Sequence, residues 1–167
     1  MNLHQLNLTF DAKQDRLLLK VSTTSEQEFR FWLTRRLVQR AWAPLVIKLQ
    51  AGTQAPMAAT PLANAPLEFR HAAAVQQADF KTPYVAEGKT PAVSPDALLV
   101  TQFSLQALAA ERYEMTLTAD TGLRVSVKLA APVLHGLVKL LQDASRSADW
   151  GLSLSLPAAA MASAAIN

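Results

Sequence analysis

Apolar residues recur at every second position in the first part of the chain, on both sides of the polar stretch 11–15. The apolar positions are Leu6, Leu8 and Phe10 before that stretch, and Leu17, Leu19 and Val21 after it. A period of two places these side chains on one face of a strand. The stretch DAKQD consists largely of turn-forming residues, so the pattern predicts a β-hairpin with one buried face.

A helix is predicted over residues 25–43. Ser25 and Glu28 have the spacing of a capping box, in which each side chain accepts a hydrogen bond from the backbone N–H of the other residue. Pro44 has no backbone N–H, so we expect it to end or kink this helix.

The middle of the chain, residues 51–95, is expected to be a long irregular insertion or loop. Its first part, 51–66, contains prolines and a glycine without any apolar period, and its last part, 81–95, is again rich in proline. The segment 67–80 between them contains alanine and glutamine and predicts a short helix. Long irregular segments in compact domains are often functional or disordered.

Alternation in the second half predicts a three-strand antiparallel meander over 100–108, 113–118 and 123–129. The apolar side chains that point one way are Phe103, Leu105, Tyr113, Met115, Leu117, Leu123, Val125, Val127 and Leu129. A helical period then predicts a helix over 132–148, with His135 on its solvated polar arc. We expect a short strand at 152–156 and a flexible alanine-rich tail at 157–167.

When each residue of the first half is aligned with the residue 108 positions later, apolar strand and helix positions of the two halves coincide, and Trp42 aligns with Trp150. The chain has only three tryptophans, so this match favours a duplicated ββα unit. Together the elements predict one α+β domain over residues 1–156. Its mainly antiparallel sheet of about five to six strands is covered on one face by two helices.

Composition narrows the class of protein. The 167 residues include no cysteine, which excludes disulfides, thiolate metal sites and a cysteine nucleophile. No stretch reaches the roughly 18 apolar residues of a membrane span, and the start lacks the pattern of a secretory signal, so we expect a cytoplasmic protein. The net charge is +3, and residues 1–50 hold eight basic side chains against four acidic ones.

The stretch EFRFWLTRRLVQRAW, residues 28–42, concentrates this basic character. On a helical wheel its polar side contains six residues that we identify as a candidate partner-binding surface. They are Phe29, Trp32, Arg35, Arg36, Gln39 and Arg40. The opposite side is apolar and is expected to face the sheet.

Three interpretations of this surface stay open. Trp32 can pack under the loop 51–66 while the arginines are solvated, which is a purely structural role. The surface can bind a protein partner or a second copy, because Trp and Arg often anchor interfaces. It can also bind single-stranded nucleic acid, with bases stacked on an aromatic ring and phosphates on Arg35, Arg36, Arg40, Arg124 and Lys128.

No catalytic signature accompanies these residues. The three histidines, His4, His71 and His135, are far apart in sequence, and no nucleophile elbow, zinc-protease motif or glycine-rich phosphate loop is present. No cofactor or metal site is therefore predicted. We expect a non-enzymatic interaction or assembly protein, with single-stranded nucleic-acid binding as the alternative.

Overall fold

The computed structural model describes residues 3–51, 66–80, 82–85, 88–109 and 111–157. Its first three strands are antiparallel: β1 (Leu3–Asp11), β2 (Arg16–Thr23) and β3 (Gln27–Leu33). The predicted β1–β2 hairpin is confirmed, and the carboxylate of Asp11 accepts hydrogen bonds from the N–H groups of Lys13 and Gln14 in its turn. Leu8, Leu19 and Phe31 lie side by side in the three strands and are buried.

The predicted helix over 25–43 is wrong in its first part, because residues 27–33 form β3. Phe31 and Leu33 point into the core, and the intervening Trp32 is only partly buried. A strand satisfies this alternation and a helix does not. Instead of capping a helix, Ser25 makes a side-chain hydrogen bond with Thr23.

The first helix, α1 (Arg35–Ala51), begins after Thr34, whose hydroxyl accepts a hydrogen bond from the N–H of Leu37. Of the two effects expected for Pro44, an end or a kink, the end does not occur, since the helix continues for seven more residues. An interior proline costs about 3 kcal/mol. Burial of Leu45, Val46 and Leu49 beyond it offsets this cost.

The middle segment contains more structure than we expected. A helix, α2 (Leu67–Gln77), confirms the short helix predicted there, and a two-residue strand, β4 (Thr90–Pro91), pairs in parallel with the start of β3. The rest of the described part of 66–95 has no regular structure. The predicted loop 52–65 lies outside the described residues.

The meander in the second half is confirmed as β5 (Leu98–Ala107), β6 (Arg112–Ala119) and β7 (Arg124–Ala130). Cross-strand pairs such as Phe103 with Leu117 and Met115 with Val127 show that the odd-numbered apolar residues share one face. The helix α3 (Ala131–Ser147) follows directly and confirms the helix predicted at 132–148.

The strands form one seven-stranded, mostly antiparallel sheet in the order β1-β2-β3-β5-β6-β7, with β4 beside β3. The fold is therefore α+β, with one or two strands more than we expected. A parallel contact between β3 and β5, through Phe31–Leu98 and Trp32–Leu99, joins the two halves. The helices α1 and α3 pack on the inner face of the sheet in one hydrophobic core.

A duplicated unit is present, but it is βββα. Corresponding elements have equal lengths: eight residues in β2 and β6, seven in β3 and β7, and 17 in α1 and α3. The β2–β6 and α1–α3 pairs correspond at a shift of 96 residues, from Arg16 to Arg112 and from Arg35 to Ala131, and β3 corresponds to β7 at a shift of 97. The shift of 108 is wrong, since it superimposes β3 on α3, and Trp150 lies after α3 while Trp42 lies within α1.

The segment 151–157 does not form the predicted final strand. Its leucines nevertheless alternate towards the core, and Leu156 is buried. The segment is held by hydrogen bonds from the Trp42 indole to the carbonyl of Ser155 (3.1 Å) and from the Gln142 amide to the carbonyl of Leu154 (2.8 Å). Residues 158–167 of the predicted tail lie outside the described part of the chain. Among the residues that the structure does describe, no helix is long and apolar enough to cross a membrane.

Replacement of Phe31 with alanine tests the role of β3. We expect the free energy of unfolding to fall by about 3–5 kcal/mol, because the fully buried ring leaves a cavity where the two halves meet. The matched control is Phe69→Ala, at a ring that is 59% exposed, for which we expect a change within about 0.5 kcal/mol. Urea unfolding measures both, and equal effects would contradict the assigned position of β3.

Candidate binding surface

The exposed face of α1 contains four of the six predicted surface residues. Arg35, Arg36, Gln39 and Arg40 are all exposed, whereas Leu37, Val38 and Ala41 are buried against the sheet. The predicted separation of the helix into an apolar and a polar side is therefore confirmed for residues 35–42. We call these four exposed residues the α1 basic face.

Two arginines of the α1 basic face, Arg35 and Arg36, lie in an electrostatically unfavourable place, the first turn of the helix. The N-terminal end of a helix is the positive end of its dipole, and a cation there costs about 0.3–1 kcal/mol. The first turn of α1 contains no acidic residue. Among the described residues, the ion pairs are Arg30–Glu28, Lys139–Asp143 and Arg146–Asp143, so none involves these arginines. The three guanidinium groups are thus available to a ligand.

Trp32 does not belong to this face, contrary to our prediction. It lies on β3 and points to the outer face of the sheet, the face opposite the core. Its strand neighbours there are Leu18 on β2 and Leu99 on β5, and all three side chains are partly buried. They form an apolar row across three strands on the outer face.

Phe29 is not a surface residue either. Its side chain points to the inner face and packs against the core, with its ring parallel to that of Phe31 at a centroid distance of 6.2 Å. The prediction failed because a helical wheel places positions three apart on one side, whereas a strand places Phe29 and Trp32 on opposite sides.

The two further residues proposed for nucleic-acid binding, Arg124 and Lys128, are exposed on the outer face of β7. Lys128 lies opposite Glu114, and Arg124 lies opposite Thr118. Between these pairs the hydroxyl groups of Thr116 and Ser126 are hydrogen bonded at 2.7 Å. Arg124 and Lys128 therefore share the outer face with Trp32, and the α1 basic face lies on the other side of the sheet.

A polar cluster that the sequence did not reveal occupies another part of the outer face. Glu28 is only 3% exposed and accepts hydrogen bonds from the Tyr84 hydroxyl at 2.6 Å and from Nε of Arg30 at 2.5 Å. Burial acts to raise the pKa of Glu28, but these hydrogen bonds and the Arg30 charge outweigh it and lower the pKa. Burial and the bond to Glu28 raise the pKa of Tyr84.

The structure also brings together two histidines that are distant in sequence. His71 on α2 and His135 on α3 are both buried, and their Nδ1 atoms are 3.1 Å apart. The expectation of a solvated His135 is wrong, because α2 covers that part of α3. Burial, followed by the charges of His71 and Arg70, lowers the pKa of His135 to about 4. Burial and the charge of Lys139 lower the pKa of His71.

A groove of about 550 Å³ runs between β1, the first turns of α3 and residues of the segments 78–80 and 82–84. Apolar side chains such as Leu6, Val133 and Leu140 line it together with the polar His4 and Asp79. Within the ranges that the structure describes, no group of three or more histidine, aspartate or glutamate side chains could hold a metal ion.

Comparisons of the chain with models of protein families, with curated proteins and with solved structures gave no match.

The Glu28 cluster gives a pH-dependent prediction. Glu28→Gln keeps an acceptor for Tyr84 but removes the charge that pairs with Arg30, so we expect it to lower the free energy of unfolding by about 1–3 kcal/mol at pH 7. The pKa of Glu28 is lowered in the folded state, so the stabilisation is present above its ordinary value of 4.5 and is lost as the pH falls through the folded value. The free energies of unfolding of the wild type and of Glu28→Gln should therefore become equal in acid.

Urea unfolding at pH 7 and at several values below 4.5 measures this difference. The matched control is Glu114→Gln, at a partly exposed carboxylate of the same outer face, for which we expect a change within about 0.5 kcal/mol. A difference for Glu28→Gln that persists unchanged into acid would contradict a role for the carboxylate charge.

Proposed function

We propose that the protein is a non-enzymatic binding protein that recognises an acidic protein partner, or an acidic segment of a second copy, through the α1 basic face. The observation that carries this proposal is the group of three exposed guanidinium groups of Arg35, Arg36 and Arg40. They have no ion pair among the described residues, and two of them, Arg35 and Arg36, lie in the first turn of a helix, where cations oppose stability.

An apolar residue extends the same side of α1. Ile47, seven residues after Arg40, is 59% exposed. Arginines beside an exposed apolar anchor are typical of protein interfaces, in which a few arginine and large apolar side chains supply most of the binding energy. As part of the same proposal we assign the protein to the cytoplasm, because a chain without cysteine gains nothing from an oxidising compartment.

The charge-reversed variant Arg35→Glu/Arg36→Glu tests the proposal. We expect it to weaken binding of a fluorescent poly-glutamate peptide at least about tenfold, which corresponds to about 1.4 kcal/mol. Its folding stability should stay the same or rise, because acidic residues in the first turn of a helix are favourable. The matched control is Arg112→Glu, at an exposed arginine of β6, which should bind as the wild type does.

Fluorescence anisotropy at several salt concentrations measures the binding, and light scattering after size-exclusion chromatography detects self-association. Peptide binding that is absent at low salt would contradict an acidic partner, and equal losses in the two variants would contradict the assignment to the α1 basic face. A gain in stability with unchanged binding would show that the arginines are only solvated.

Single-stranded nucleic acid is the second candidate ligand. It is favoured by the partial exposure of Trp32 between Leu18 and Leu99 on the same outer face as Arg124 and Lys128. A base that stacks on an aromatic ring contributes about 1–3 kcal/mol, and each phosphate contact adds to the salt dependence.

For this candidate we expect Trp32→Ala to weaken binding of an oligo-dT strand by at least about fivefold. Lys128→Gln should reduce the magnitude of the slope of log affinity against log salt by about one, which is the contribution of a single phosphate contact. The same anisotropy assay with fluorescent oligo-dT measures both. An affinity that is absent at low salt, or is unchanged by Trp32→Ala, would remove this candidate.

A further inference from the structure

The histidine pair lies at the contact between α2 and α3. His71 and His135 are 9% and 7% exposed, and their rings are 5.3 Å apart at an angle of 48°. Two Nδ1 atoms at 3.1 Å require one ring to donate its Nδ1–H and the other to accept with its lone pair. Because the pKa values of both histidines are lowered, both rings are neutral at neutral pH, and this hydrogen bond then requires opposite tautomers.

This contact is a large part of what holds α2 in place. The only buried residues of α2 are Leu67 and His71. The segment after α2 adds Phe80, whose ring lies 3.7 Å from the position that a Cβ atom of Gly136 would occupy, and this ring is itself 46% exposed. A change at His71 thus affects one of two buried anchors.

The surroundings of the pair oppose a positive charge. The positive charge of Arg70 on α2 lowers the pKa of His135, and that of Lys139 on α3 lowers the pKa of His71. Lys139 is itself paired with Asp143 on α3. From β6 and the turn before it, Tyr113 and Glu111 face Arg70. A first proton on the pair can still be shared in the hydrogen bond, but it is a buried charge among cations. A second proton leaves two N–H groups facing each other.

We propose that the histidine pair makes the docking of α2 on α3 dependent on pH, so that α2 is docked at neutral pH and released in mildly acidic solution. Release uncovers the side of α3 that contains His135 and Gly136. The device acts through the fold of the chain and does not depend on the proposed function.

The direction and the pH window follow from the lowered pKa values. The docked pair binds fewer protons than free histidine, so its stabilisation is complete above the ordinary value of 6.5. It is lost as the pH falls towards the value of about 4 for His135. Each pH unit in this window shifts the docking equilibrium up to about tenfold, and the whole window shifts it up to about 300-fold.

The experiment uses the full chain and two readouts. Nitrogen-15 NMR of the histidine rings reports tautomer and titration. We expect His71 and His135 to show complementary tautomers and to stay neutral to a pH below the ordinary histidine pKa. Hydrogen exchange, corrected for the intrinsic rate, should show at least about tenfold loss of protection in 67–77 between pH 7 and 5, with little change in β6.

The variants identify the cause. His71→Leu/His135→Leu removes both polar partners together, so we expect α2 to stay protected at both pH values, whereas the control His4→Gln should behave as the wild type does. The proposal is overturned if the wild type keeps its protection at pH 5 or if the double variant loses protection equally. If the double variant does not fold, a normal titration of His71 and His135 in the wild type overturns it.

Discussion

The fold depends on the position of β3. This strand pairs with β2 along one edge and with β4 and β5 along the other, so it connects the two βββα units through a short parallel contact. The fully buried Phe31 lies between Leu19 and Leu98 at this contact. Because side chains alternate along a strand, the inward position of Phe31 also directs Glu28 and Trp32 to the outer face. The same strand therefore determines the core and the surface.

The elements that the sequence predicted well have one buried face and one solvated face. In β6 and β7, apolar residues alternate strictly with Glu114, Thr116, Ser126 and Lys128, so only one structural period fits. The β3 segment is different, because its outward positions include the large apolar Trp32. Apolar residues on both faces fit a helix as well as a strand, and the sequence therefore located this segment without identifying its type.

The candidate surfaces were predictable to the extent that they are local. The α1 basic face follows from helical spacing within six residues, so its four members were predicted to share one polar side, whereas Phe29 and Trp32 were misplaced with β3. The other polar clusters join distant segments: 56 residues separate Tyr84 from Glu28, and 64 separate His135 from His71. Neither pair could be recognised from its spacing in the sequence. The residues come together only because the segment 82–85 packs on β3 and α2 packs on α3.

The distribution of charge favours one of the two ligands that we propose. On the outer face, Arg30, two residues before Trp32 on β3, is already bonded to Glu28 and to the carbonyl of Pro95. Arg124 and Lys128 have no described ion pair, but they lie on β7, three strands from Trp32. On α1 the guanidinium charge is not neutralised by any described ion pair. A nucleic-acid strand on the outer face would have to reach from the stacking surface at Trp32 on β3 to the two cations on β7. An acidic protein segment needs only the α1 basic face, and for this reason it is the ligand that we favour.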